Sequence, residues 1–434
     1  MPGSGRLLAV APAAEVDCDC VGILGAWRFH CVNTLVACIM TSSGRTSSGQ
    51  SMTIRLRTRS RGQRPFDNVF LQCYGFLQQS PIGHRMTEYD QGDMFDDLGR
   101  RYERGDGLVQ SDSEALHWYL EAARYGNVHA QHRVGWFYEV GRGVKVSPTE
   151  AALWYERAAT LGCEWSQLRL GRLVKKGDGI ASDPEEAVRL FRLAADKGLA
   201  DAQLELAIMF DQGLGVVKDH DQAAALFRLA AEQSNAAAEY YLAVCHSRGT
   251  GVRKSEVVAV HWYRRAAGRG HVSAQLDLGA AFANGRGVIR SDDEAVRWFR
   301  LAAEAGNATA QFNLGLFYAS GRGVSRSDAD ALHWYRKAAQ QGSNPACNNL
   351  GQFFEEGRAV EQSDEEAVKL YRRAAEGSNP QSQCNLARMY ETGRGVPQSF
   401  DEAIAWYRKA ADHDSRLAKE ALRRLESGAA IVTV

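Results

Sequence analysis

From Met94 to Leu417 the apolar positions fall into one pattern, written nine times with a period of 36 residues. In the unit around Ala310, Leu314, Phe317 and Tyr318 stand at i, i+3 and i+4, the spacing of a helix with one buried stripe. Gly315 within that stripe lets a partner helix come close. The stripe ends at Gly321-Arg322-Gly323, where glycine permits the left-handed backbone that closes a helix. This Gly-x-Gly recurs from Gly105-Asp106-Gly107 to Gly393-Arg394-Gly395 without an insertion, and only Ala359 departs from it. If that position needs positive φ, the alanine costs about 1 kcal/mol. A fixed period of this size is the mark of a solenoid.

A second helix follows each turn. Its N-cap is always Ser or Asp: Ser111, Ser147, Asp183, Asp219, Ser255, Ser291, Ser327, Ser363 and Ser399. Three residues on, eight of the nine units carry Glu, Gln or Asp, the spacing of a capping box in which two orphan backbone donors are satisfied reciprocally. Val258 is the exception, which predicts that the fifth unit frays first. Each second helix has an aromatic residue, from Tyr119 to Tyr407, and then an alanine pair, from Ala122-Ala123 to Ala410-Ala411. Large and small residues alternating on one helix allow stacked hairpins to interdigitate. The expected fold is an all-α solenoid of nine helix-turn-helix repeats over residues 94–417. Residues 418–434 supply a capping helix and tail, the charged stretch Arg416 to Leu425 suiting the polar end.

Residues 1–93 lack the repeat and are expected to be mostly disordered, with a candidate targeting region inside them. No acid occurs between Asp19 and Asp67, and Arg55, Arg57, Arg59, Arg61 and Arg64 follow a Ser/Thr/Gly-rich stretch. That composition suits an organelle transit peptide if translation starts at Met40 or Met52. A start at Met86 removes it altogether. Leu7 to Ala14 is a marginal signal peptide, and Arg28 and His30 interrupt the apolar run from Val21 to Met40. A membrane helix wants about 20 clean apolar residues. The expected location is therefore cytoplasmic, with an organelle or the secretory pathway as the alternative.

Charge narrows the partners. Residues 1–88 hold nine Lys/Arg against five Asp/Glu, so with 52 of each overall the rest of the chain is net −4. A mildly acidic solenoid is a poor match for a phosphate backbone, which argues against nucleic acid. Nine cysteines without regular pairing or a Cys-x-x-Cys read as reduced thiols.

The unit reads Ala-x-x-x-Leu-Gly-x-x-Tyr-x-x-Gly-x-Gly-Val, then Ser/Asp-x-x-Glu-Ala, then Trp-Tyr-x-x-Ala-Ala-x-x-Gly. It resembles the Sel-one-like repeat (SLR) family, longer-unit relatives of tetratricopeptide repeats. The resemblance implies a right-handed superhelix that serves as an adaptor or scaffold for protein complexes. Members act in endoplasmic-reticulum quality control beside ubiquitin ligases, in signalling and in bacterial host interaction. An adaptor subunit of such a ligase complex is thus an alternative, for which Asn307-Ala308-Thr309 offers a glycosylation acceptor. Some bacterial members with paired cysteines are linked to β-lactam binding; this chain lacks those pairs.

Residues for chemistry are sparse. The Gly-x-Gly turns follow helices rather than strands and lack the Lys-Ser/Thr of a phosphate loop. His117, His261 and His333 lie in separate units, and His129 and His132 have no Cys or carboxylate at ligand spacing. No nucleophile, base and orienting acid can be paired. Neither a catalytic residue, a metal nor a cofactor is expected, and an enzyme is the least favoured reading. A non-catalytic scaffold that binds a protein or an extended peptide is favoured, with the oligomeric state left open.

The resemblance places the first helix of each unit on a concave face. The stripe flanking the Leu-Gly step there carries the candidate contacts. Arg133, Arg169 and Arg172, with Lys175 and Lys176, form a basic patch beside Trp136. Ile208, Val244 and Leu316 form an apolar middle, with Tyr241 a further candidate in the adjoining row. Asn313, Asn349 and Asn385 form a ladder suited to clamping an extended backbone.

Overall fold

The structure, a computed structural model, describes residues 88–432, so of the stretch 1–93 expected to be disordered or to carry a targeting region only 88–93 is described, and it is helical; the rest lies outside the described residues. Nineteen helices and no strand are present among the described residues. The first helices of the nine units are α1 Glu88–Arg104, α3 Val128–Val140, α5 Glu164–Lys176, α7 Ala200–Gln212, α9 Ala236–Arg248, α11 Val272–Asn284, α13 Ala308–Ser320, α15 Asn344–Glu356 and α17 Pro380–Thr392. The second helices are α2 Asp112–Arg124, α4 Pro148–Thr160, α6 Pro184–Asp196, α8 His220–Glu232, α10 Glu256–Gly268, α12 Asp292–Glu304, α14 Asp328–Gln340, α16 Asp364–Glu376 and α18 Phe400–Asp412. Helix α19, Arg416–Val432, closes the array. Each helix packs on its neighbours in sequence, the one-dimensional arrangement of a solenoid. The first and last helices outrun the expected bounds, α1 starting before Met94 and α19 continuing past Leu425.

Both glycines of the turn are needed, for different reasons. The first sits at the helix end in the left-handed region, as at Gly141 with φ 76° and Gly321 with φ 70°, and its N–H closes on a carbonyl of the last turn. The second touches the preceding unit. A Cβ on Gly215 would stand 2.2 Å from the Pro184 carbonyl oxygen, and one on Gly251 would stand 1.9 Å from that of His220. Gly107, in the first of the nine units, meets nothing closer than 3.4 Å among the described residues. Ala359 takes the second position with φ 53°, so the strain expected of it is present.

The nine N-caps form as the spacing predicts: each side-chain oxygen accepts from the N–H three residues on, at 2.9–3.3 Å. The reciprocal half of the capping box is a correction. The N-cap N–H instead donates to a carbonyl nine residues back, from Ser111 on Tyr102 at 3.0 Å to Ser399 on Tyr390 at 2.9 Å. The preceding helix occupies the donor that a glutamate would serve. Ser255 caps Val258 like the rest, and the expectation that the fifth unit frays first loses its basis. The candidate acceptor Asn307 is itself a cap, its side chain accepting from the Ala310 N–H at 2.8 Å.

The aromatic residue of each second helix fills the core. Tyr119, Tyr155, Phe191 and Tyr371 are fully buried. The glycine after the core leucine makes room for it: a Cβ on Gly135 would lie 2.7 Å from the Tyr155 ring, and one on Gly171 2.6 Å from Phe191. Ring and glycine belong to the same unit. This contact sets the hairpin spacing, while the turn glycine sets the spacing between units.

Candidate interaction face

The seam between successive units is polar, and it determines what the first-helix face can offer. Glu103 accepts the Tyr119 hydroxyl at 2.8 Å and is paired with Arg133 and Arg142 from the next unit. Glu139 repeats this with Tyr155 and Arg169, and Glu355 with Tyr371, Arg388 and Arg394. The turn arginine also clamps an aspartate of the preceding unit. Arg322 meets Asp292 at 2.6 Å, and Arg394 meets Asp364 at 2.7 Å. These pairs are part-buried and in several cases bidentate, the arrangement that makes charge-assisted hydrogen bonds strong.

The expected basic patch is therefore internally neutralised. Arg133 lies against Glu103 and stacks over Trp136 at 4.3 Å, and Arg169 meets Glu139 at 3.2 Å. Arg172 and Lys175 both hold Glu205, at 2.8 and 2.6 Å. Despite its burial, the Glu205 carboxyl is held below the usual range by Lys175 and Arg172. Lys176 meets Asp178. What remains for a partner is the edge of these pairs and the half-buried Trp136 ring.

The asparagine ladder is also partly engaged. Asn349 donates to the Tyr335 hydroxyl at 3.2 Å. Asn385 is buried and donates to Asn348 at 3.0 Å. Asn313 is half-buried and makes no intramolecular hydrogen bond. One rung of the three stands ready for an extended backbone.

The apolar middle is more open. Tyr241 stacks on Phe227 at 5.1 Å with an interplanar angle of 12°, yet stays 38% exposed. Leu316 is 37% exposed, while Ile208 and Val244 are half-buried against the core. Trp165, at the head of α5, is 49% exposed and was missed by the sequence reading. It stands four residues before Arg169, on the same stripe one turn towards the N-terminus, so extending the stripe by a turn would have found it.

His129 and His132 are both engaged within the fold. Burial pushes His132 down to about 4, with Arg133 adding to the effect, and its Nδ1 lies 2.9 Å from the Ser166 hydroxyl. His129 gains a carboxylate that its own helix does not supply, Asp96 at 2.7 Å. Among the described residues no group of three or more His, Cys, Asp or Glu is placed to hold a metal ion. Among the described residues, too, no helix is long and apolar enough to cross a membrane.

A stack of helix pairs joined by glycine turns, with a variable outer stripe on the first helices, defines a helical-repeat protein. The Sel1 repeat family model matches nine successive segments, from residues 97–127 to 380–415, and the chain belongs to that family. Sel1 repeat proteins are typically protein-interaction scaffolds. Among solved structures, c5321, a protective antigen present in uropathogenic Escherichia coli strains, is similar at 30% identity and a TM-score of 0.72, covering 83% of this chain and 76% of that one. A Sel1 repeat protein from Oxalobacter formigenes is similar at 28% identity and a TM-score of 0.51, covering 56% of this chain and 96% of that one. No curated protein matches.

Proposed function

We propose that this chain is a non-catalytic scaffold that docks an extended polypeptide along its first-helix face. The carrying observation is the set of exposed aromatic and aliphatic side chains on that stripe, Trp165, Tyr241 and Leu316, set among side chains engaged with one another. Large, partly exposed aromatics held by packing make low-entropy anchors for a partner. Asn313 between them supplies backbone-directed hydrogen bonding. Four free cysteines among the described residues, three of them buried, suit a reducing cytoplasmic setting.

The test is affinity purification of the tagged full chain from its native cell, alongside Tyr241→Ala and Leu316→Glu variants that leave the helix content intact. A stoichiometric protein partner whose recovery falls about tenfold or more with either variant supports the reading, the loss expected of an interface anchor. A partner retained equally by both variants refutes this face. Substrate turnover by the purified chain refutes the non-catalytic assignment.

A further inference from the structure

On the first helices, Glu103, Glu139, Glu205, Asp211, Glu355 and Glu391 each have a basic partner. Asp277, on α11 at the joint with the fifth unit, has none; the Tyr240 hydroxyl is the neighbour that most favours its charged form. Its repeat counterpart is Glu205, which Arg172 and Lys175 hold from the unit before. At the Asp277 joint those two places belong to Val244 and Ser247. Both cations are cut away, and their place is a cleft of about 180 Å³ walled by Val244 and Ser247 and reaching Asp277.

The rest of the cleft follows the same pattern. The Tyr263 hydroxyl lies in it without a hydrogen bond, whereas Tyr119, Tyr155, Tyr371 and Tyr407 each donate to a carboxylate. Glu256 offers a second carboxylate, engaged only by the Ser247 hydroxyl at 3.2 Å. Arg248 and Arg286 also line the cleft, exposed, and act on Asp277 through space without an ion pair. Burial pushes the Asp277 carboxyl up, more than Tyr240 and these two arginines pull it down. The volume holds a single side-chain head; drug-sized ligands and cofactors need roughly 300 Å³ or more.

We propose that this cleft receives a basic side chain, arginine or lysine, of a bound polypeptide, its cation taking the place that Lys175 and Arg172 fill beside Glu205. The inference rests on the first-helix face as the docking surface, since Tyr241 and Val244 of that face lie on the same helix as Ser247. It adds the specificity that the apolar anchors lack. Asp277 and Glu256 accept the charged hydrogen bonds, and the Tyr263 hydroxyl accepts a further one.

The design of the chain supplies the blocking variant. Ser247→Lys rebuilds the Lys175–Glu205 pair at this joint and fills the cleft from within, and Asp277→Asn removes the acceptor charge. Calorimetry of the full chain would use a capped Gly-Gly-Arg-Gly-Gly peptide, its citrulline and glutamate counterparts, a mixed library of uncharged heptapeptides, and N-acetyl-arginine amide alone. The arginine peptide is expected to bind about tenfold or more tighter than the citrulline one, the scale of one charge-assisted hydrogen bond. Ser247→Lys and Asp277→Asn should both erase that difference while circular dichroism stays unchanged. Equal binding of arginine and citrulline, preference for glutamate, or an arginine preference that survives Ser247→Lys overturns the proposal. Should the uncharged library fail to bind while N-acetyl-arginine amide binds the wild type and not Ser247→Lys, the extended groove falls and the cleft stands. No binding by either probe overturns both.

Discussion

Gly251→Ala is expected to cost about 2–4 kcal/mol of stability, combining a positive-φ penalty with overpacking against backbone. The residue has φ 66°, and a Cβ there would stand 1.9 Å from the His220 carbonyl oxygen. A backbone oxygen at the start of a helix cannot rotate away as a side chain can. The fourth and fifth units must therefore separate or the turn must distort. Gly270→Ala is the control: φ is 85°, nothing lies within 4 Å, and the expected cost is about 1 kcal/mol. The reverse change, Ala359→Gly, should gain about 1 kcal/mol by removing strain at the one turn that lacks the second glycine. Urea denaturation ranks the three variants, and hydrogen exchange locates the loss in Gly251→Ala at α8 and α9. Equal losses for Gly251→Ala and Gly270→Ala would show that contact between units does not determine the glycine.

The second large effect is expected at Glu239. In six other units the equivalent residue is a glutamine that donates from Nε2 to an alanine carbonyl of the preceding helix, as Gln311 does to Ala303 at 3.0 Å. Glu239 is wholly buried and cannot donate. Arg265 performs both tasks, lying 2.8 Å from the carboxylate and donating to the Ala231 carbonyl at 3.3 Å. Arg269 adds a contact at 3.3 Å. Replacing both arginines by alanine leaves a buried charge without a partner, a loss of about 3–5 kcal/mol. Adding Glu239→Gln should restore most of it, because glutamine makes the bond to Ala231 that its counterparts make. The measurement is the unfolding free energy of the double and triple variants. A triple variant no more stable than the double would mean that the arginines act through packing rather than charge.

The sequence made the period, the turns, the caps and the buried aromatics legible, because each is a local pattern written nine times. The state of the face was less legible. Arg133, Arg169 and Arg172 read as a free basic patch, yet their acids stand 30 to 33 residues away and come into reach only when units stack. Asn385 reads as a rung of a ladder, but Asn348 of the preceding unit claims its amide. The reciprocal capping glutamate failed for a similar reason, since the preceding helix had already taken the donor. Conversely, nothing in the sequence beside Asp277 sets it apart. Its lack of a partner appears only when Val244 and Ser247 are set against Arg172 and Lys175 in the folded seam.

The most direct measurement is hydrogen–deuterium exchange of the full chain with and without its co-purified partner. A scaffold that uses its first helices should gain protection in α5, α9 and α13, around Trp165, Tyr241 and Leu316, with the second helices unchanged. Protection confined to the second helices or to the turn edges would contradict it and move the binding surface elsewhere.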